Sequence, residues 1–523
     1  MRSNSVLDPR STVVGLIEAP QVRLYDPEGN QWTSSYHDFL GSKQIIIGLL
    51  MDAGYRVLLY NLRTEDIGVE LGEVSWCDIN MRKVAWGGDW RLINPYDCNV
   101  WGITSNFYQE REVVCKIISY LSAHRVPIIV GGSDVFAEPK AYIAAGATVA
   151  IMDKSGGSNI AALEIALTGK TKHAHWLYLP IKGEVRNGQP LLHPNMWPIP
   201  PVKYVAQTFA RLPWKDTSQS DIFPMGAVMP DQGCDRDCDF CQTHHYMLGY
   251  QYMSVERTLA WCDLQYEAGA RSINCFSDQF LGRNIWSKPG QNGRDDIIAI
   301  MREIRERGIN IMWWNGLETA KATKGRGFPA HRPEHDPTPD RELVCAVWGW
   351  DGKSGCGQAL IPAERPTEGE VAYRKLLSWQ HHKEMLREIV RSGVPDLTYG
   401  LIIGLQRDTN KSMEHLLDAV LELRNDLLSI NPALIFAVIP SCFIPFPGTN
   451  LSKDYWDKRN LLGNDPALFG KWTPITTGGH LSPWEISLWQ ARFYHEFSPK
   501  NYGEKTISSM GGIGSTLRKR LSL

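Results

Sequence analysis

The sequence lacks an excess of charge of either sign. Its 55 lysines and arginines nearly balance its 57 aspartates and glutamates, which gives a formal net charge of −2. Binding to a polyanion through overall charge requires a basic surface, so this composition disfavours nucleic acid as a partner. The sequence also lacks an apolar run of the roughly 18 residues that a membrane span needs. Its first residues, MRSNSVLDPRST, contain no apolar core of a signal peptide. We therefore expect a cytoplasmic protein without a membrane span.

Cysteine is scarce, and most of it is scattered. Of the 11 cysteines, eight lie far apart in the sequence, and several of these fall in apolar stretches. This distribution favours reduced, buried thiols over a disulfide framework, and it is typical of cytoplasmic proteins.

The other three cysteines form the most informative motif. Cys234, Cys238 and Cys241 share one short loop, separated by three residues and then by two. Thiolates at this spacing can bind three irons of a [4Fe–4S] cube, which leaves the fourth iron open to another ligand. The alternatives are chance clustering and a structural zinc site, for which His244 or His245 could supply a fourth ligand.

The chain on either side of this loop predicts an α/β fold. Over residues 12–168, strands alternate with helices of about 10–15 residues, which predicts a doubly wound, Rossmann-like parallel sheet. From about residue 223, six further β/α units predict a partial (β/α)6 barrel of the TIM type, with its reactive groups at the carboxyl ends of the strands. The predicted domains are 1–170, a proline-rich linker 171–222, the barrel 223–450 and a C-terminal extension 451–523.

Two segments give irregular signals, and a third predicts a long helix. The stretch between the predicted strands Arg56–Leu62 and Asn99–Thr104 is irregular in pattern. Residues 322–356 form an insertion rich in glycine, proline and charge, whose structure the sequence does not predict. Residues Ala372–Ser392 predict one long helix.

The cysteine loop resembles the CxxxCxxC signature of the radical S-adenosylmethionine (SAM) enzymes, which commonly have an aromatic residue, here Phe240, before the last cysteine. Three more segments resemble that family in the same order along the chain: Ser277-Asp278-Gln279-Phe280, Gly400-Leu401-Ile402-Ile403-Gly404-Leu405 and Pro445-Phe446-Pro447-Gly448-Thr449. The resemblance implies that Cys234, Cys238 and Cys241 bind a [4Fe–4S] cluster. It also implies that the open iron binds SAM, which is cleaved to methionine and a 5′-deoxyadenosyl radical.

The first half resembles the cobalamin-binding domain that precedes the barrel in one radical SAM subclass. The segments that carry this resemblance are Ala53–Val57, Val100–Ser105 and Pro127–Gly132. Glycines and small hydroxyls at strand ends let a flat macrocycle approach the backbone closely. The alternative is a Rossmann-like domain that binds no cofactor. The DxHxxG loop that ligates cobalt in many cobalamin enzymes is absent, and His37 lies in the corresponding region at a different spacing.

These resemblances give a set of candidate cofactor-binding residues. For cobalamin they are Gly102, Thr104, Ser105, Gly131 and Gly132. For SAM they are Asp278, Glu364 and Gly404, of which Asp278 could instead be a turn carboxylate and Glu364 the charge at a helix N-terminus. Gly404 is expected to allow close packing near SAM.

The resemblance implies a cobalamin-dependent radical SAM methyltransferase acting on an unactivated carbon of a small-molecule or peptide substrate. The deoxyadenosyl radical would remove a hydrogen atom, methylcobalamin would give its methyl group to the substrate radical, and a second SAM would remethylate cob(I)alamin. A reducing partner such as flavodoxin or ferredoxin is expected. The alternatives are a cyclisation, ring-contraction or carbon–carbon coupling enzyme of the same architecture, a cobalamin-free radical SAM enzyme and a non-catalytic metal-binding protein.

Overall fold

The computed structural model describes residues 8–32, 40–65, 67–170, 173–210, 222–287, 292–329 and 331–497. In chain order, the strands are β1 (Val13–Glu18), β2 (Gln21–Tyr25), β3 (Arg56–Asn61), β4 (Gly68–Trp76), β5 (Ile79–Trp86), β6 (Val100–Thr104), β7 (Ile128–Gly131), β8 (Val149–Ile151), β9 (Leu177–Leu179), β10 (Gly183–Val185), β11 (Met225–Val228), β12 (Asp231–Gln232), β13 (Gln251–Tyr252), β14 (Ser272–Cys275), β15 (Asn310–Trp313), β16 (Gly355–Glu364), β17 (Asp396–Ile403) and β18 (Ile435–Cys442). The helices are α1 (Gly41–Asp52), α2 (Arg111–Ala123), α3 (Ser133–Ala137), α4 (Pro139–Ala144), α5 (Asn159–Thr168), α6 (Val202–Val205), α7 (Val255–Glu267), α8 (Gly293–Glu306), α9 (Arg341–Trp348), α10 (Trp379–Arg391), α11 (Asn410–Ile430), α12 (Asn450–Asp457) and α13 (Pro483–Phe497).

The chain divides into two compact units. The first consists of Met1–Thr208 with Pro445–Gly470, and the second of Phe209–Ile444 with Lys471–Leu523. Helix α12 therefore belongs to the first unit, although it follows the last strand of the second. Within the described residues, no helix combines the length and the apolar character needed to cross a membrane.

The first unit contains the predicted parallel sheet. Its strand order is β10-β9-β8-β7-β6-β1-β3, in which β3, β1, β6, β7 and β8 run parallel and β9 and β10 are antiparallel additions. The strand order reverses between β1 and β6, because the chain first adds β3 on one side and then builds outward on the other. Ligands of open α/β sheets bind at the carboxyl ends of the strands beside such a reversal.

Helices cover the sheet of the first unit on both faces. One hydrophobic cluster joins β1 to α1 and α5 through residues such as Leu16, Ile47 and Leu163. Helix α2 buries four branched side chains, Val113, Val114, Ile117 and Ile118, which are not exposed at all. Two covered faces explain why the parallel strands read as almost continuous apolar runs.

The stretch between β3 and β6 is not irregular, and this part of the prediction was wrong. Strands β4 and β5 form a hairpin that pairs with β2 in a three-stranded antiparallel sheet. The residues that turn the hairpin are Cys77 and Asp78, and Cys77 has a positive φ of 50°. Most side chains of β4 are exposed or half-exposed, so the strand carries little of the apolar alternation by which strands are recognised, and its turn lacks the usual Asn-Gly signature.

The second unit contains a six-stranded parallel sheet. Its order β11-β14-β15-β16-β17-β18 follows the order of the chain, and every neighbouring pair is parallel. The 322–356 insertion supplies a connecting helix, α9, whose N-terminus is capped by the Asp340 side chain accepting from the backbone N–H of Leu343. Its Val344, Val347 and Trp348 side chains are fully buried, so this segment is part of the repeating β/α pattern.

The predicted helix Ala372–Ser392 begins later than expected. Helix α10 starts at Trp379, because the Ser378 side chain caps it by accepting from the backbone N–H of His381. The residues before Ser378 form an irregular segment that carries Lys375, whose side chain turns back to Glu364 at the end of β16. The helical periodicity of the sequence therefore extends over residues before Ser378 that are not part of α10.

Candidate functional site

The three cysteines lie in one loop of the second unit. The short strands β12 and β13 pair at its base, and Cys234, Cys238 and Cys241 are all partly exposed free thiols. A turn in which the backbone N–H of Cys241 donates to the carbonyl of Cys238 (3.0 Å) brings the last two together. Burial raises the pKa of Cys234 to about 11 and that of Cys238 to about 12, so without metal these thiols hold their protons, and metal binding must displace them.

Two aspartates fasten this loop to the end of β14. The buried Asp231 carboxylate accepts from the Ser277 hydroxyl (2.5 Å) and from the backbone N–H groups of Asp278 and Gln279 (3.0 Å each). In return, the Asp278 carboxylate accepts from the backbone N–H of Gly233 (2.8 Å), directly before the first cysteine. The structure therefore brings Asp278 to the cysteine loop, where it has the geometry of a turn carboxylate.

A buried carboxylate, Glu318, fixes the residues between the first two cysteines. The Glu318 carboxylate accepts hydrogen bonds from the Arg236 guanidinium (2.6 and 3.1 Å) and from the Gln279 side-chain nitrogen (2.7 Å). It also pairs with the Lys321 ammonium at 3.3 Å. Lys321 is fully buried and also pairs with Asp235. The sequence analysis did not identify Glu318, Lys321 or Arg236, because nothing in their local pattern distinguishes them from surface charges.

Glu364 lies at the end of β16 and not at a helix N-terminus. It sits where the pairing with β17 shifts register, it has a positive φ of 54° and it is only 7% exposed. Its Oε1 accepts from Lys375 (2.5 Å), while its buried Oε2 has no hydrogen-bond partner. Burial raises the pKa of Glu364, and Lys375 opposes that rise. A strained residue with a buried, unpaired oxygen is typical of a ligand site.

The Glu364–Lys375 pair lies beside the cysteine loop. Their charges act in opposite directions on the pKa of the Cys238 thiol, and the Lys375 ammonium is 5.7 Å from the centre of the Phe240 ring. Phe240 stands between the second and third cysteines in the sequence. The structure therefore places Glu364 near the cysteine loop, together with Lys375.

One face of the sheet remains open near the carboxyl ends of β17 and β18. Gly400 and Ile402 are partly exposed, while the intervening Leu401 is buried against the other face. Gly400 pairs with Ile439, and Ile402 with Ser441, and these two are also partly exposed. This open face lies near the carboxyl ends of the parallel strands, where ligands of such sheets bind.

Gly404 has a structural reason to be glycine. It has a positive φ of 81°, and an added Cβ would lie 3.0 Å from Ile486 of α13. Its backbone N–H donates to the buried Asp408 carboxylate (2.9 Å), which also binds Arg365 at 2.9 Å. This turn shapes the carboxyl end of β17.

In the first unit, four of the five candidate cobalamin residues make internal contacts. Ser105 is fully buried and accepts a hydrogen bond from the Tyr142 hydroxyl (2.8 Å). Gly132 has a φ of 125°, and a Cβ there would lie 2.0 Å from the carbonyl oxygen of Ser105. A Cβ on Gly102 would lie 2.9 Å from Leu16. These residues shape the carboxyl ends of β6 and β7.

Thr104 is the fourth of these residues, and Gly131 differs from all of them. Gly131 is partly exposed, and the nearest atom to an added Cβ would be Ile151 at 3.7 Å, so there is room beside the end of β7. The Thr104 hydroxyl accepts from the buried ammonium of Lys43. His37 lies outside the described residues.

A buried ionic cluster, unpredicted from the sequence, lies where the strand order reverses. The Lys43 ammonium donates to the carbonyl of Ile17 (3.0 Å) and lies 3.5 Å from Glu18. Arg63 binds Glu18 at 2.9 Å and also pairs with Glu110. Burial lowers the pKa of Lys43, although Glu18 opposes this. Balanced charges buried at this position rigidify the region where a ligand of such a sheet binds.

The donor set of the cysteine loop fits an iron–sulfur cluster. In the described part of the chain, no three His, Cys, Asp or Glu side chains gather as the ligands of one metal ion would. A cube binds each thiolate through a different iron, and its sulfurs accept hydrogen bonds from the protein. Such donors are present: the Gln279 side chain at Cys234 (3.6 Å) and the backbone N–H of Thr243 at Cys241 (3.5 Å).

Comparisons with known proteins agree with this geometry. No protein-family model matches the chain, and none of the curated proteins matches it. Among solved structures, the cobalamin-dependent SAM radical enzyme OxsB with aqua-cobalamin and SAM bound superposes with a TM-score of 0.63 at 14% identity, over 92% of this chain and 66% of OxsB. This chain therefore spans slightly less than two thirds of that OxsB chain.

A second neighbour is the radical SAM methyltransferase TsrM from Kitasatospora setae. With cobalamin and a [4Fe–4S] cluster bound, it superposes with a TM-score of 0.56 at 13% identity, over 94% of this chain and 90% of TsrM. With tryptophan substrate and a SAM analogue bound, the TM-score is 0.55. Both neighbours combine a radical SAM enzyme with bound cobalamin, which agrees with the resemblance inferred from the motifs. The chain thus has the fold of the cobalamin-dependent radical SAM enzymes.

Proposed function

We propose that this protein is a cobalamin-dependent radical SAM methyltransferase that methylates an unactivated carbon of a small-molecule or peptide substrate. The observation that carries this proposal is the placement of Cys234, Cys238 and Cys241 in one loop beside Glu364, whose free carboxylate oxygen is buried and unpaired. A three-cysteine loop leaves one iron of a cube open. An adjacent buried carboxylate can pair with a cationic group of a ligand bound at that iron.

The chain's own residues have distinct roles in this proposal. Cys234, Cys238 and Cys241 would hold a [4Fe–4S] cluster, and Asp231 and Asp278 would keep their loop in place. Once bound, the cluster, SAM and cobalamin would supply radical formation and methyl transfer.

Glu364 and Lys375 suit the two charged groups of the amino-acid end of SAM. The unpaired Oε2 of Glu364 can accept from an ammonium group, and Lys375, whose Nζ binds the other oxygen, can pair with a carboxylate. Asp278 is occupied by Gly233 and would act on SAM only through the loop. Gly404 would shape the end of β17 near this ligand.

The candidate cobalamin residues divide into two roles. Gly102, Ser105 and Gly132 would set the shape of the strand ends, because their own contacts are internal. Gly131 would face the cofactor, since it has room beside it. Thr104 would lie next to the cofactor at the end of β6, with its hydroxyl bound by Lys43. The predicted domain limits and the partial (β/α)6 barrel belong to this proposal, and the chain-ordered parallel sheet supports the barrel.

Methylation is favoured over ring contraction or coupling because TsrM, which spans most of this chain, is a methyltransferase. We expect the protein to take its electrons from a reducing partner such as flavodoxin or ferredoxin.

The test uses the full chain, reconstituted anaerobically with iron, sulfide and hydroxocobalamin. It is incubated with a low-potential reductant, SAM carrying a deuterated methyl group and a fractionated small-molecule and peptide extract. The proposal expects 5′-deoxyadenosine, S-adenosylhomocysteine and a product heavier by the labelled methyl group. 5′-Deoxyadenosine and the labelled product should disappear in Cys238→Ala, and S-adenosylhomocysteine should fall to at most one methylation of the bound cobalamin. All three should persist in Cys345→Ala, a substitution of an exposed cysteine outside the loop. Deoxyadenosine together with a product that lacks the label would show a different radical reaction.

A further inference from the structure

The Gln279 side chain connects the cysteine loop to the Glu318 carboxylate. Its Nε2 lies 3.6 Å from the Cys234 sulfur and 2.7 Å from Glu318 Oε2. The first distance is a normal hydrogen-bond length for sulfur, whose radius exceeds that of oxygen. We propose that Gln279 is a positioning residue that raises the reduction potential of the cluster by donating an N–H to the Cys234 thiolate. This inference rests on the proposed function, because it requires Cys234 to bind the cluster.

The chemistry of the two partners decides the orientation of the amide. A carboxylate and a metal-bound thiolate are both acceptors, and only the NH₂ end of the glutamine amide has two donors. With the amide turned around, its oxygen would face two negative groups. The Gln279 side chain can therefore donate one N–H to Glu318 and the other to Cys234.

The surroundings prevent the amide from turning away. Arg236 donates three hydrogen bonds to Glu318, and Lys321 adds an ion pair. At the other end of the residue, the backbone N–H of Gln279 donates to the buried Asp231 carboxylate. Gln279 is itself 5% exposed, so water does not compete for its donors.

A fixed N–H dipole directed at a ligating sulfur changes the relative stability of the two oxidation states. One-electron reduction adds negative charge to the cluster and its thiolates, and the dipole stabilises that charge more strongly in the reduced state. Since Gln279 and Glu318 are both buried, the effect of this dipole is weakly screened. Removing the N–H is expected to make the cluster harder to reduce.

The chain offers a matched control. The Gln490 side-chain nitrogen lies 3.3 Å from the Cys442 sulfur and 3.1 Å from the carbonyl of Pro440. This is also a buried glutamine beside a cysteine in the second unit, but Cys442 lies outside the cluster loop. Removing the side-chain N–H of Gln490 tests the loss of a buried glutamine without a change at the predicted cluster.

The experiment is an anaerobic redox titration of the reconstituted full chain, followed by electron paramagnetic resonance of the reduced cluster. The variants are Gln279→Leu, Gln279→Met and the control Gln490→Leu. Both Gln279 variants are expected to have a more negative midpoint potential, with a reduced-to-oxidised ratio several-fold lower than in the unsubstituted chain at the same applied potential. Gln490→Leu is expected to leave the midpoint unchanged.

The outcomes separate this inference from the proposed function. If the unsubstituted chain binds no cluster, the proposed function fails. If it binds a cluster and the Gln279 variants have the same midpoint as the control, the inference is overturned. Loss of the cluster from both Gln279 variants, with Gln490→Leu still loaded, would also overturn it, because Gln279 would then hold the loop without tuning the potential.

Discussion

The Asp278 carboxylate accepts a 2.8 Å hydrogen bond from the backbone N–H of Gly233, the residue that precedes the first cysteine of the loop. Gly233 has a φ of 82°, and a Cβ there would lie 1.8 Å from the carbonyl oxygen of Gly249. The hydrogen bond therefore fixes the loop at a position that only glycine can occupy without strain. Asp231 completes the connection in the opposite direction by accepting from the N–H of Asp278.

This relationship predicts how substitutions of Asp278 affect cluster loading. Asp278→Ala removes the acceptor and should lower the iron and sulfide bound per chain several-fold, because the loop loses its anchor beside Cys234. Asp278→Asn keeps a side-chain oxygen that can accept from Gly233, so it should load close to the level of the unsubstituted chain. Iron and sulfide assays after anaerobic reconstitution compare the two. Equal loading of the alanine variant would show that the anchor is dispensable.

The neighbouring glycines at the end of β7 should differ sharply in their tolerance of a side chain. Gly132→Ala places a Cβ 2.0 Å from a backbone oxygen at a φ of 125°, and should lower the free energy of unfolding by about 2–5 kcal/mol. Gly131→Ala meets nothing closer than 3.7 Å and should cost less than about 1 kcal/mol.

Denaturant unfolding of both alanine variants measures this difference. Gly131→Leu adds the cofactor test: it should remain folded but retain less hydroxocobalamin per chain, since it fills the space beside the strand end. Undiminished corrinoid retention in a folded Gly131→Leu protein would place the cofactor elsewhere.

The buried ionic cluster of the first unit should contribute more to stability than a comparable surface pair. Arg63→Met leaves Glu18 and Glu110 without their shared cation, and should lower the free energy of unfolding by about 3–5 kcal/mol. The control is Arg82→Met, which breaks an exposed pair with Glu70 at 2.7 Å and should cost at most about 1 kcal/mol. Urea unfolding measures both, and equal costs would show that burial does not set the strength of the cluster.

His382 should make the second unit less stable in mild acid. It is buried on α10 and hydrogen-bonded to the Tyr399 hydroxyl (2.8 Å), and burial lowers its pKa to about 4, against about 6.5 for an exposed histidine. Between these values the unfolded chain binds a proton that the folded chain does not. Stability is therefore complete above the unfolded pKa and is lost as the pH falls, by about 2 kcal/mol between about pH 7 and about pH 5.

The variant His382→Gln isolates this contribution from that of the carboxylates. Glutamine has no proton to gain in this range and can still hydrogen-bond Tyr399, so its free energy of unfolding should fall less steeply with acid. Urea unfolding at several pH values gives the two curves. Parallel curves would mean that His382 is not neutral in the folded protein.

The sequence predicted the parts of this molecule that local pattern determines. The parallel sheet of the first unit followed from alternating apolar runs and helices, and the cysteine loop followed from its spacing. The hairpin of β4 and β5 was missed because most side chains of β4 are exposed or half-exposed. The start of α10 was misplaced because the cap at Ser378 interrupts a continuous helical pattern.

The site residues that escaped the sequence analysis are those whose partners lie far away in the chain. Lys43 and Arg63 look like surface charges in sequence, and only the fold shows that they bind Glu18 inside the first unit. Lys375 is 11 residues from Glu364, and it reaches Glu364 because the chain between them folds back towards the end of β16. No local periodicity encodes such pairs, since they depend on where strand ends meet.

The central claim is that Cys234, Cys238 and Cys241 hold an iron–sulfur cluster in a protein that also binds cobalamin. The most direct test is the iron, sulfide, zinc and corrinoid content and the ultraviolet–visible spectrum of anaerobically reconstituted protein offered hydroxocobalamin. The account predicts about four irons and about four sulfides per chain, together with a broad iron–sulfur absorbance and retained corrinoid bands. The Cys345→Ala control should keep both signals. The Cys238→Ala variant should lose the iron–sulfur absorbance and keep the corrinoid bands. Zinc in place of iron, with no corrinoid retained, would contradict it.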